Sequence, residues 1–205
     1  MDPRVTPRAE RIGLFGGTFD PVHNAHVALA RLALAELHLD ELRWVPTGQP
    51  WQKSRTISPA EHREAMVRLA MQGEPRFGLE RCEIERRGPS YTLDTVRELQ
   101  AATPGATWFL IIGQDQYASL HTWKHWQELL GRVTLAVANR PGVVPTVDAQ
   151  VLRFTHTAVP LSMMDISSTE IRARVAAGQG IADLVPVGVA RYIDQHRLYR
   201  DPLRS

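Results

Sequence analysis

Two histidines three residues apart, His23 and His26, follow a pair of glycines in the run Gly16-Gly17-Thr18-Phe19-Asp20-Pro21-Val22-His23-Asn24-Ala25-His26. The run begins where an apolar stretch, Ile12–Phe15, reads as a buried strand, and it leads into apolar residues at helical spacing. Glycines at a strand end let the backbone turn tightly and approach a ligand with no Cβ in the way. The start of the following helix offers unpaired N–H groups and the positive end of its dipole, a ready anion site. On one face of that helix, two imidazoles can donate hydrogen bonds to phosphate oxygens, more strongly when protonated. The glycine spacing fits neither a dinucleotide-binding G-x-G-x-x-G nor a Walker loop.

A second anion-site pattern stands near the other end of the chain. Ser167-Ser168-Thr169-Glu170 forms a helix capping box, and Arg172 lies one turn into the same helix. Hydroxyls and first-turn N–H groups there would face an anion that Arg172 could grip with its planar fork. Asp115 follows the apolar run Trp108–Ile112, where parallel sheets gather ligand groups, and suits a ribose or a metal-bound water. Trp123 and Trp126 are three apart in a predicted helix, a spacing that serves a core stripe or a stacking face. The remaining histidines show no metal-ligand spacing: His121 and His125 are four apart but no cysteine or carboxylate pattern supports them, which argues against a protein-bound zinc. The lone cysteine, Cys82, sits in a strand-like run and reads as a buried thiol in a reducing compartment.

The elements that must position these groups alternate along the chain. Strand-like runs fall at Ile12–Phe15, Leu42–Pro46, Phe77–Ile84, Trp108–Ile112, Val133–Ala138 and Thr157–Leu161, with helical patterns between most of them. That alternation predicts an α/β fold, a doubly wound parallel sheet covered on both faces. The WFLII run is apolar without alternation, as a strand buried on both sides should be. Ser58-Pro59-Ala60-Glu61 predicts a capped helix start with proline at its first position. Thr92 is predicted to cap a helix through Leu99, and Gly178 to stop the one that begins near Ser168. With 205 residues the chain is expected to hold one domain over 11–205, after a flexible leader at 1–10, with about 166–205 a small helical C-terminal part. Lys and Arg number 24 against 22 Asp and Glu, a net charge of +2 with scattered arginines, which is no duplex-binding stripe. No apolar stretch approaches a membrane span and the leader has no apolar core, so the expected setting is the cytoplasm.

The run GGTFDPVHNAH resembles the (T/H)xGH-containing signature of nucleotidyltransferases, specifically bacterial nicotinate-nucleotide adenylyltransferases. Ser90-Tyr91-Thr92-Leu93-Asp94-Thr95, the stretch Gly113–Trp126 and Ile166–Arg172 resemble further segments of that family in the right order, so the likeness spans nearly the whole chain. Two positions depart from its pattern: Ala25 stands where the family has glycine, and Thr47–Lys53 keeps only Lys53 from the family's Asn and Pro-Pro-His-Lys loop.

The resemblance implies a Rossmann-like fold and transfer of AMP from ATP to nicotinate mononucleotide by in-line displacement, with Mg2+ arriving on ATP. By that resemblance Gly16, Gly17, Thr18 and Phe19 admit the nucleotide, while His23 and His26 act on the α-phosphate. Lys53, Ser167, Ser168, Thr169 and Arg172 would meet the phosphate tail, with Asp115 nearby. Thr92, Tyr91, Trp123, the backbone at Lys124 and Arg140 would hold nicotinate mononucleotide. Trp126 would stay in the core. Neither nucleic acid nor membrane is implied as a partner, and oligomeric state is left open. Three alternatives stand beside this reading: a pantetheine-phosphate or cytidylyl-transferring relative, a fragment of a class I aminoacyl-tRNA synthetase, and a nucleotide sensor without turnover.

Overall fold

The computed structural model describes residues 8–48, 57–139, 146–161 and 164–200. In chain order the elements are β1 (Arg11–Gly17), α1 (Asn24–Glu36), β2 (Glu41–Pro46), α2 (Ala60–Ala70), β3 (Phe77–Leu79), α3 (Cys82–Glu85) and α4 (Thr92–Ala102). They continue with β4 (Thr107–Gly113), α5 (Gln114–Ala118), α6 (Trp126–Arg132), β5 (Thr134–Asn139), β6 (His156–Pro160), α7 (Ser168–Ala176) and α8 (Val187–Gln195). The six strands form one sheet in the order β3-β2-β1-β4-β5-β6, and every neighbouring pair is parallel. The predicted doubly wound sheet is therefore what forms. Strand order reverses at β1, which pairs with β2 on one side and β4 on the other. Helices diverge to opposite faces at such a switch point, leaving a crevice outside the carboxyl ends of the two central strands.

Side-chain alternation along the central strands feeds two cores. Phe109 and Ile111 of β4 join Phe15 in a core shared with α1, α2, α7 and α8, while Trp108, Leu110 and Ile112 face a second core with α4, α5 and α6. All five residues of WFLII are buried, which is why that run shows no polar face. On α1, Val27, Leu29, Ala30, Ala33 and Leu34 are buried, so the helix lies deep against the sheet. The C-terminal elements belong to the same body: Ile171, Val189, Ile193 and Tyr199 share the α1 core, and α8 packs on α2.

Local structure departs from the sequence expectations at four places. The run 77–84 is a strand only to Leu79, because Glu80 Oε1 accepts the backbone N–H groups of Arg81 and Cys82 and turns the chain into α3. Cys82 thus opens a helix; burial still pushes its thiol up to about 12. No capping box forms at Ser58, whose N–H donates to Asp20 and whose carbonyl accepts from Arg63; Pro59 takes the N-cap position itself. Tyr91, rather than Thr92, is the N-cap of α4. Trp123 and Trp126 do not share a helix, since His125 between them takes a left-handed conformation (φ 55°) and starts α6 anew.

Candidate active site

At the switch point lies a cavity of about 560 Å³. Its walls include the ends of β1 (Gly16, Gly17) and β4 (Ile112, Gly113), the start of α1 (His23, His26) and the start of α7 (Ser167, Ser168). Glu83, Ser90, Thr92, Thr95 and Trp123 line it as well.

His23 is the N-cap residue of α1 and His26 its third residue, which brings their rings face to face at 3.6 Å between centroids. The backbone N–H of His23 donates to His26 Nδ1 at 3.2 Å. An accepting Nδ1 carries no proton, which assigns the tautomer of the His26 ring with Nε2–H as its donor. Burial lowers the His23 pKa to about 4, so this ring is neutral at pH 7. Its Nδ1 is buried and, among the described residues, has no hydrogen-bond partner. A buried ring nitrogen left unpaired costs stability and marks a group kept for a ligand or for chemistry. Asn24 N–H is spent on the Leu184 carbonyl and that of His26 on the His23 carbonyl, which leaves the amide of Ala25, a cavity-lining residue, at the mouth of the helix.

The loop between β1 and α1 is held from behind. Its left-handed residue is Phe19 (φ 49°), not either glycine. Gly17 is required instead because a Cβ there would come within 2.8 Å of the buried Phe19 ring. Arg63 donates to the Thr18 carbonyl (3.0 Å), and Arg172 donates to the Asp20 carbonyl (2.8 Å). Tyr199 Oη donates to Asp20 Oδ1 (2.7 Å), and Ser168 Oγ to the Pro21 carbonyl (2.9 Å). Burial beside the Asp20 carboxylate pushes the Tyr199 phenol far up, so it stays protonated and serves as a fixed donor. With its carbonyls taken from outside, the loop is locked in one conformation facing the cavity.

The opposite wall is built by an acid and hydroxyls. Thr95 Oγ1 donates to Glu83 Oε1 at 2.8 Å, Ser90 also hydrogen-bonds Glu83, and the Gly48 N–H donates to Ser90 Oγ at 3.2 Å. Burial raises the Glu83 pKa, partly offset by the Thr95 bond, Arg86 and the Ser90 bond. Above this wall the Lys124 ammonium lies 4.2 Å from the centre of the Tyr91 ring, a cation–π contact.

Residues 14–174 match the model of the cytidylyltransferase-like family. A protein of Methylibium petroleiphilum named "Probable nicotinate-nucleotide adenylyltransferase" is 54% identical over 198 residues, covering 94% of this chain and 93% of its own length. A protein of the same printed name from Streptomyces coelicolor is 45% identical, covering 90% of this chain and 98% of its own length. The chain belongs to the nicotinate-nucleotide adenylyltransferase family. Among solved structures, the Plasmodium falciparum nicotinic acid mononucleotide adenylyltransferase complexed with NaAD superimposes with a TM-score of 0.76 at 19% identity, over 93% of this chain and 98% of that one. That likeness attests the Rossmann-like nucleotidyltransferase fold.

Of the residues expected from sequence, the cavity gathers Gly16, Gly17, Thr18, Phe19, His23, His26, Thr92, Asp115, Trp123, Ser167 and Ser168. Thr169 and Arg172 are not in its lining: Arg172 is 4% exposed and spans from the Asp20 carbonyl to Thr169 Oγ1, behind the loop. Ser168 reaches the cavity, but its hydroxyl proton already goes to Pro21. Tyr91 and Lys124 are not in the cavity lining and pair with each other beside the wall that Thr92 and Glu83 line. Lys53 and Arg140 lie outside the described residues. Trp126 is buried against Phe154, in the core as expected.

Sequence reasoning missed Arg63, Asp20, Tyr199 and Glu83. A signal existed for Arg63: it shares the face of α2 that buries Met66, Val67 and Ala70, and a charge on an apolar stripe needs a partner inside. Glu83 was hidden by the strand assignment of its segment.

Proposed function

We propose that this chain transfers AMP from ATP to nicotinate mononucleotide, giving nicotinate adenine dinucleotide and pyrophosphate. The observation that carries the reading is that a single cavity is lined both by the stacked imidazoles of His23 and His26 and by Thr92 and Trp123. The likeness to named nicotinate-nucleotide adenylyltransferases over nearly the whole chain supports the substrate pair.

In this reading a phosphate oxygen of the acceptor attacks the α-phosphorus of ATP. A P–O bond forms there as the bond to the bridging oxygen breaks, and pyrophosphate leaves. The acceptor phosphate is already ionised near pH 7, so no general base or covalent intermediate is needed, and catalysis is positioning plus charge stabilisation. The role of His26 is to donate Nε2–H to oxygen on the α-phosphate. His23, neutral in the free protein, gains a proton more readily once a polyanion sits beside it. The Ala25 amide and the hydroxyl of Ser167 suit the phosphate tail, while Arg63 and Arg172 act through the loop they hold. At the other wall the start of α4 at Thr92 and the ring of Trp123 receive the nicotinate.

Among the described residues no group of three His, Cys, Asp or Glu comes together to hold a metal. The residues present fit a Mg2+ ion that enters chelated by ATP, with the exposed Asp115 carboxylate on the cavity rim available to it directly or through water. Bound there, the ion would neutralise phosphate charge. No described helix is long and apolar enough to cross a membrane. The single cysteine and dependence on ATP fit a cytoplasmic setting.

The test is turnover. Protein incubated with ATP, Mg2+ and nicotinate mononucleotide should release pyrophosphate and form the dinucleotide. Nucleotide binding without product would overturn the reading in favour of a sensor, and turnover with a cytidine nucleotide or a pantetheine phosphate alone would move it to another branch of the family.

A further inference from the structure

The two walls of the cavity are joined by one hydrogen-bonded chain. Arg63, which donates to the Thr18 carbonyl on the phosphate side, also donates to the Gly48 carbonyl at 3.3 Å. The Gly48 N–H donates to Ser90 Oγ, Ser90 bonds Glu83, and Glu83 accepts from Thr95. Arg86 in turn donates to Thr95 Oγ1 at 3.1 Å. Gly48 lies against Glu83 so closely that a Cβ there would fall 1.9 Å from the Glu83 carbonyl oxygen. Immediately before it, the Thr47 N–H donates to the Gly17 carbonyl at 2.9 Å, so the segment leaving β2 touches both walls.

Glu83 is the hub on the acceptor side. It is 7% exposed, lines the cavity and holds the two hydroxyls that bracket Thr92, one before α4 and one in its first turn. The amides of Asp94 and Thr95 both go to the Tyr91 carbonyl, so the first amides of α4, those of Thr92 and Leu93, are the ones the helix start presents. Their direction depends on how the first turn is anchored, and Thr95 is its anchored residue. Burial favours an uncharged carboxyl here, while the hydroxyl donors and Arg86 favour the anion. Either form accepts from Thr95.

We propose that Glu83 is a positioning residue for the acceptor: by accepting the hydroxyls of Ser90 and Thr95 it sets the start of α4 at the angle that binds nicotinate mononucleotide and keeps that wall in register with the phosphate loop. This rests on the acceptor wall being the one lined by Thr92 and Trp123.

The experiment is steady-state kinetics with each substrate varied, on the unmodified chain, Glu83→Ala and Glu83→Gln. Glu83→Ala should raise KM for nicotinate mononucleotide about tenfold, the scale of buried hydroxyls left without their acceptor, with KM for ATP nearly unchanged. Glu83→Gln should recover most of that loss, because its amide oxygen still accepts from Thr95. An unchanged acceptor KM in Glu83→Ala would overturn the proposal, and so would equal rises in both KM values, the mark of general loosening. Glu83→Gln as damaged as Glu83→Ala would overturn it too, by making the carboxylate's charge the active feature. If Glu83→Ala does not fold, the pair Thr95→Ser and Thr95→Val decides: the serine variant should keep the acceptor KM and the valine variant raise it, and identical values for the two would overturn the proposal. Should the unmodified chain turn over ATP with some other acceptor and not with nicotinate mononucleotide, the underlying reading fails, a result separable from any variant's behaviour.

Discussion

The two walls of the cavity are held by opposite chemistry. Behind the loop from β1 to α1, cationic and phenolic donors take the outward carbonyls and carboxylate: Arg63 on Thr18, Arg172 and Tyr199 on Asp20. On the far wall an acid, Glu83, takes hydroxyl donors from Ser90 and Thr95. A loop meant for phosphate must keep N–H groups turned inward, so its carbonyls need partners on the outside, and guanidinium groups supply several donors from one side chain. In the proposed reading the far wall receives a flat ring with one polar substituent, which needs donors aimed more than it needs added charge, and hydroxyl bonds to a fixed acid would aim them. Among the described residues the arginines behind the loop are therefore engaged with its carbonyls, and in the proposed reading the groups that meet the phosphates are imidazoles and backbone amides.

The sharpest way to break this comparison is at the imidazoles. His26→Ala removes the Nε2–H donor and should lower kcat by roughly 10²-fold or more, the usual scale for a preorganised donor to developing charge. His23→Ala should do the same, with circular dichroism showing the fold retained. Variants with near wild-type kcat would hand the chemistry back to the arginines.

His23 also leaves a mark on stability. Its native pKa near 4 lies below the 6.5 of an unfolded histidine, so the unfolded chain binds the extra proton between those values. Stability should therefore fall as pH drops from 6.5 toward 4, by about 3 kcal/mol from this group, and the loss should level off below. Denaturant melts of the wild type and His23→Asn across that window should diverge by this amount, and parallel curves would mean that the ring is protonated in the folded state.

Acceptor choice tests the far wall. Donors aimed at a carboxylate should give kcat/KM for nicotinate mononucleotide roughly 10²-fold above that for its amide counterpart, in line with polar-group discrimination. Comparable turnover of both would show that stacking on Trp123 dominates. Arg172→Lys keeps the charge but loses the fork that reaches both Asp20 and Thr169. About a tenfold loss in kcat/KM for ATP is expected, together with a lower thermal midpoint, since the loop itself loosens. Weakened ATP binding with an unchanged melt would instead place Arg172 on the triphosphate. The smallest effect belongs to Lys124→Ala: its ammonium rests on the Tyr91 ring, and the acceptor preference should move by less than about threefold, as an exposed cation–π contact allows.

Much of this was readable in the sequence because it is written locally. Buried parallel strands announce themselves as unbroken apolar runs, so WFLII and the run before Gly16 could be placed, and the strand-to-helix step with its paired histidines follows from spacing alone. Ser167 caps α7 through the Glu170 N–H, as its motif implies. Short segments read less well. The end of β3 depends on a carboxylate, Glu80, turning back on two amides, and the break between Trp123 and Trp126 depends on one left-handed residue.

By itself, the sequence determined the parallel α/β class, the position of the central strands, the pairing of His23 with His26 and the family to which the chain belongs. Those features arise between residues that are neighbours along the chain or share one element's periodicity. Only the tertiary structure decided that Arg172 turns its guanidinium to the back of the loop, and that Arg63 and Tyr199 join it there. It likewise brought Glu83 from α3 to stand between Ser90 and Thr95. The partners concerned are up to 179 residues apart in the chain. A buried charge takes whichever carbonyl or hydroxyl the packed core brings within reach, and no local pattern records that choice.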